Sequence, residues 1–228
     1  MMSNRLEDLP VPVSRGADGL FSLVVDVAVL GHTDANNVEG RIGPSDTQNY
    51  FGIDTRGDYY FVEGLVYRGG TIPDPSRPTR ISAMPNAPAR LHNEVVWDFR
   101  APPVGHHFNR GWVLINGSKE TGADTRGTPI DPPRTEPHLL STHNIVLGAF
   151  APDNLTPPML VTGGVENGNN PDEEIIIRSV KGGTGPFRFA RGEVRQERIG
   201  RNTTLLRTFS SFREVHAPNF RLTFFLRL

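Results

Sequence analysis

The stretch Lys181-Gly182-Gly183-Thr184-Gly185-Pro186-Phe187-Arg188-Phe189-Ala190-Arg191-Gly192 decides how the chain reads. Three glycines in four residues, Gly182, Gly183 and Gly185, supply positive φ without steric cost, as a tight turn requires. The spacing of Phe187 and Phe189 predicts the start of a strand with both rings on one face. A glycine-rich turn can also cradle a phosphate at a helix N-terminus. Here Glu193 to Ile199 carries no helical apolar stripe, and the Lys-Ser/Thr pair of a nucleotide loop is missing. The stretch therefore reads as a turn between strands.

This run, Gly182 to Gly192, resembles the signature of dirigent proteins and their relatives the allene oxide cyclases, and the likeness continues through Asn219-Phe-Arg-Leu-Thr-Phe-Phe-Leu226. It covers about the last fifty residues, from Asp172 onward. The resemblance implies an eight-stranded antiparallel barrel whose lumen holds a hydrophobic small molecule during stereoselective cyclisation or coupling. It implies no cofactor, and it implies a homodimer or homotrimer. In dirigent proteins acidic residues and an arginine just before the glycine turn serve as acid/base and orienting groups. Their nearest counterparts here are Asp172, Glu173 and Arg178. Allene oxide cyclases use a carboxylate near the first strand, a place that Asp26 fills. The motif is a fold signature, and chemistry has to be argued from a site.

The rest of the chain agrees with a β protein. Its 228 residues suffice for one packed domain, and 24 Gly with 20 Pro punctuate short apolar runs. Lys plus Arg number 24 against 25 Asp plus Glu, a balance that points to neither nucleic acid nor an anionic membrane. The absence of cysteine excludes disulfides, thiolate catalysis and cysteine-bound metal. The first residues show no apolar core of signal-peptide length, and no apolar run reaches the ~20 residues of a membrane helix, so a cytoplasmic location is expected. Formal sequons at Asn116, Asn154 and Asn202 carry no meaning in such a compartment.

Residues 1–18 read as a polar arm and 19–228 as a single all-β antiparallel barrel of about eight strands, with long loops over one mouth. Strands are expected at Leu20–Leu30, Asp58–Tyr67, Glu94–Phe99, Trp112–Asn116, His138–Phe150, Glu174–Val180, Thr203–Val215 and Asn219–Leu226. Loops are expected at His32–Ser45, Gly69–Pro88, Gly117–Pro137 and Ala151–Pro171. In the last strand Phe220, Leu222, Phe224 and Leu226 share a face opposite Arg221 and Thr223.

Single ionisable groups on apolar strand faces are the candidates for chemistry, because a buried charge must be paired, neutralised or in use. Asp26, Glu63, Asp98 and His143 fit that description, and Asp26, Glu63, His143 and Arg178 form the candidate catalytic set. Tyr59, Phe61 and Tyr67 share a face with Glu63, and with Trp97, Asp98 and Asp172 they are the expected substrate contacts. The opposite face, Tyr60, Val62, Gly64 and Val66, is an equally good barrel interior, since a one-residue slip reverses every assignment. The seven histidines show no metal-ligand spacing, and no Gly-x-Ser-x-Gly elbow supports a hydrolase. The expected activity is a cofactor-free cyclase or isomerase of secondary metabolism. A carrier of a reactive intermediate and a filled structural barrel stand beside it.

Overall fold

The computed structural model describes residues 5–35, 59–73, 96–115, 138–148, 156–167, 175–207 and 214–228. Its strands are β1 (Val13–Arg15), β2 (Phe21–Ala35), β3 (Tyr59–Arg68), β4 (Val96–Trp97) and β5 (Gly105–Ile115). They continue with β6 (His138–Leu147), β7 (Met159–Asn167), β8 (Ile176–Thr184), β9 (Arg191–Arg207) and β10 (Glu214–Arg227). The long strand β2, rich in β-branched valine, suits a pleated half-buried surface. One of its edges pairs with β10, from Asn219↔Ala28 to Leu226↔Phe21, and the other pairs with β3, from Val25↔Arg68 to Ala35↔Tyr59. Between those two pairings run β9, β8, β7, β6 and β5, all antiparallel. The sheet thus closes into an eight-stranded barrel, with β1 and β4 attached outside the ring. No helix among the described residues is long and apolar enough to cross a membrane.

Closure turns the period of two into an inside and an outside. Val25, Val27 and Val29 of β2 and Leu222, Phe224 and Leu226 of its neighbour β10 turn inward side by side, and all are buried. One end of the barrel is filled: Leu23, Val66, Leu147, Leu160, Val180 and Phe187 pack there, and Leu9, Val11 and Val13 of the arm pack against them. The arm therefore lies on its own barrel along residues 5–15. The other end is where β2, β5, β7 and β9 finish, and the segments that follow them, including the expected loop Gly117–Pro137, lie outside the described residues.

The glycine stretch builds the filled end. Gly185 has φ +61° and opens a single 3-10 turn, Gly185–Phe187, with Pro186 in its first turn. The Arg188 N–H donates to the Gly185 carbonyl at 3.2 Å, and the Ala190 N–H to that of Phe187 at 3.0 Å. Gly183 is glycine for another reason, since a Cβ there would lie 1.8 Å from the Met159 carbonyl oxygen. The 3-10 turn corrects the expected strand: Phe187 is fully buried and Phe189 is 74% exposed, because a period near three separates residues two apart.

Further expectations change: His32–Ala35 of the expected loop His32–Ser45 belong to β2, and the expected strand Glu94–Phe99 contains the short β4, outside the ring. The expected loop Ala151–Pro171 contains β7, whose glycines concealed its alternation. The expected strand Trp112–Asn116 is the end of β5, which begins at Gly105 and includes both His106 and His107. The expected strand Thr203–Val215 is divided between the end of β9 and the start of β10.

Replacing Phe187 by Ala should lower the unfolding free energy by about 3–5 kcal/mol, the usual loss for a buried phenylalanine. Phe189→Ala should change it by less than about 0.5 kcal/mol. Urea denaturation of both variants checks the pair, and equal losses would mean that the turn does not plug the barrel.

Candidate functional site

Above the apolar plug the lumen has two unlike walls. On one side stand Val27, Val29, Phe220 and Leu222 from β2 and β10. Facing them, β3, β5, β6, β7, β8 and β9 contribute Tyr60, His107, Asn109, His143, Glu166, Arg178 and Gln196, all buried. Between the walls lies a cavity of about 220 Å³, edged by the half-buried Leu139, Leu206 and Pro218 at the unplugged end. It is smaller than the ~300–1,000 Å³ of ordinary small-molecule sites. Two glycines make the polar wall possible. A Cβ on Gly164 would press on the Arg178 side chain at 3.2 Å, and one on Gly111 would lie 2.7 Å from the Tyr60 hydroxyl.

Glu166 is the hub. Its Oε2 accepts from an Arg178 guanidinium nitrogen at 2.8 Å, and the other terminal nitrogen of Arg178 donates to Gln196 Oε1 at 2.7 Å. Its Oε1 meets the Tyr60 hydroxyl at 3.3 Å, Asn109 Nδ2 at 3.3 Å and His143 Nε2 at 3.2 Å. On its far side His143 Nδ1 stands 2.9 Å from His107 Nε2. Two charges this deep cost several kcal/mol each to desolvate, and only close pairing with further hydrogen bonds offsets that.

The network fixes protonation. Burial alone would raise the Glu166 pKa, but His143 and the Arg178 guanidinium outweigh it and hold the carboxyl well below its usual range. Burial lowers both His107 and His143, with Arg178 adding to the effect, so both imidazoles are neutral near pH 7. With His143 neutral, Arg178 is the partner that keeps Glu166 ionised at that pH. Burial also draws Arg178 down, Glu166 opposes this, and the guanidinium stays charged. Tyr60 is raised by burial and by Glu166, and remains a phenol. An ionised carboxylate only accepts, so His143 carries its proton on Nε2 and His107 must donate from its own Nε2 to His143 Nδ1. His107 Nδ1 is then a bare acceptor, and neither it nor Asn109 Oδ1 has a protein partner.

Of the expected catalytic residues, the structure brings His143 and Arg178 together in this lumen. Asp26 is buried on the outer side of the wall, where it accepts from Arg221 Nε at 2.8 Å, Arg221 Nη2 at 3.3 Å and the Ile72 N–H at 2.9 Å. It clamps the segment after β3 against the barrel. Glu63 is exposed, because β3 turns Tyr60, Val62 and Val66 inward and the other set outward. Tyr59 and Phe61 go with it and meet Trp112 and Phe108 of β5 on the outer face. Tyr67 and Trp97 form a second small core outside the barrel with Ile72 and Ile199, their rings 4.6 Å apart edge to face. Burial there pushes the Tyr67 phenol up to about 12. Asp98 is exposed and bonded to Arg100. Asp172 and Glu173 lie outside the described residues. Among the described residues no group of three His, Asp or Glu side chains is placed to hold a metal.

Sequence reasoning offered Tyr60 only as part of the alternative interior face of its strand, and did not single out Glu166, His107, Asn109 or Gln196 as site residues. Leu160, Thr162, Gly164 and Glu166 do alternate inward, a signal that the neighbouring Gly163 and Gly164 masked.

No protein-family model and no curated protein matches the chain. Among solved structures it is similar in fold to a pyocyanin demethylase, at 11% identity and a TM-score of 0.43, over 90% of this chain and 99% of that one. It is likewise similar to the pterocarpan synthase dirigent protein PsPTS1, at 14% identity and TM-score 0.46, over 91% of this chain and 94% of the other. A second pterocarpan synthase dirigent protein, GePTS1, matches at 13% identity and TM-score 0.44, over 90% of this chain and 86% of its own. The likeness is one of fold.

Neutral buried histidines make stability depend on pH. The folded pKa values lie below that of an unfolded histidine, about 6.5, so below that pH the unfolded state binds more protons and stability falls. Each histidine contributes a slope of up to about 1.4 kcal/mol per pH unit in that range. Urea midpoints measured from neutral pH downward should drop, and His107→Phe should flatten the curve. An unchanged profile in that variant would contradict the neutral buried pair.

Proposed function

We propose that the lumen takes a compact hydrophobic molecule by its polar end and directs its cyclisation or isomerisation without a cofactor. The observation that supports this is a buried polar cluster on one wall of a cavity whose other wall is apolar. A flexible substrate laid between the walls is oriented by both. Orientation of this kind contributes up to ~7–11 kcal/mol in well-aligned intramolecular reactions. His143, held by Glu166 on one nitrogen and His107 on the other, is the proton-carrying group, and Arg178 with Gln196 keeps Glu166 in place. Tyr60 orients an oxygen of the substrate. Acid/base assistance would add a factor of roughly 10²–10⁴.

A second reading is favoured by one observation. Both nitrogens of His143 are engaged and both imidazoles are poor bases, as suits a template that shelters a reactive intermediate and imposes a conformation on it. In that case the protein sets stereochemistry and a separate agent drives the reaction.

Incubation with acyclic polyene epoxides, followed by chiral product analysis, tests the reading. The wild type should give one ring product in enantiomeric excess, and His143→Gln should slow its formation by roughly 10²–10⁴. Unchanged rate with unchanged excess would leave the template reading, and a racemic wild-type product would overturn both.

A further inference from the structure

Resting on the reading of the lumen as a binding site, we infer that Glu166 makes the cavity selective for ligands whose polar end is neutral and donates hydrogen bonds, such as a hydroxyl or amide, and that it excludes carboxylates and other anions.

The first argument is charge balance. The ionisable groups on the polar wall are Tyr60, His107, His143, Glu166 and Arg178. Tyr60 and the two histidines are neutral, so the wall carries one carboxylate and one guanidinium, 2.8 Å apart and together uncharged. Arg178 offers a ligand no unbalanced positive charge. Its two terminal nitrogens are committed to Glu166 and Gln196, and its side chain is fully buried. An anion entering the cavity would lose its hydration and meet a Glu166 carboxylate before any free cation. Arg198, the other cation on the inward side of β9, is half-buried and does not line the cavity.

The second argument is hydrogen-bond valence. Arg178 Nε and Thr162 Oγ1 also lack a protein partner, but neither residue lines the cavity; with Asn109 Nδ2 and the His143 imidazole both donating to Glu166, the unpartnered polar atoms of the lining are His107 Nδ1 and Asn109 Oδ1. Both are acceptors. A hydroxyl or amide can donate to them, whereas a carboxylate or phosphate oxygen has no proton to give. Charge and valence therefore select the same class of ligand.

The test uses two probes of one shape, 2-naphthamide and 2-naphthoate, titrated calorimetrically into the full chain near neutral pH. Wild type should bind the amide at least roughly tenfold more tightly. Glu166→Gln keeps the shape and leaves Arg178 unbalanced, so the preference should narrow or invert toward 2-naphthoate. Arg178→Gln provides a check should that variant fail to fold. It leaves the carboxylate unbalanced and should admit 2-naphthylmethylammonium, which the wild type rejects. Equal wild-type affinity for the amide and the carboxylate, or variants that do not shift selectivity, would overturn the inference while leaving the lumen as a binding site. Binding of no probe by the wild type would overturn both the inference and the binding-site reading beneath it.

Discussion

The pairing of β2 with β3 is the constraint on which everything else depends. It converts an open antiparallel sheet into a ring, so that alternate residues of eight strands face one another with no edge left in the wall. Apolar side chains resolve that confinement at the plugged end. Farther along the axis one wall of the lumen is polar, and its side chains must satisfy one another. Glu166 and Arg178 do so across β7 and β8, and the remaining polar side chains gather around that pair. Removing one member would strand a buried charge at a cost of about 3–5 kcal/mol. The pair thus fixes the lumen's geometry and its neutrality together.

The outer side of the wall shows the same physics with a different result. Asp26 and Arg221 form a second ion pair, cross-strand neighbours on β2 and β10, and Asp26 is fully buried. Its partners are Arg221 and the backbone at Ile72, and it does not line the lumen cavity. Beside it Tyr67, Trp97 and Ile199 cover the outside of the barrel. A buried carboxylate on an apolar strand face is therefore a clamp in one place and the hub of a cavity in another. What separates the two is the face of the sheet.

That distinction explains what could be read from residues alone. The barrel was legible because β10 alternates cleanly, and because Gly182 to Gly192 carries a turn that few residue types can form. His143 was legible as the ionisable member of the face that holds Ile145 and Leu147. The faces of β2 and β3 were not, since Tyr60, Val62 and Val66 are no more apolar than Tyr59, Phe61 and Leu65. Only pairing on both sides of a strand decides which set turns inward. Glu166 was hidden because its strand needs Gly164 for the approach of Arg178, and a glycine pair reads locally as a loop.

The central claim is that the lumen holds an ionised Glu166 balanced by Arg178, with His143 and His107 neutral and linked in one direction. Nitrogen NMR of the histidine rings addresses it directly. Both residues should appear as neutral Nε2–H tautomers at about pH 7, and both should take up a proton at lower pH than an unfolded histidine does. An imidazolium signal from His143 at neutral pH, or an Nδ1–H tautomer of either ring, would contradict the account.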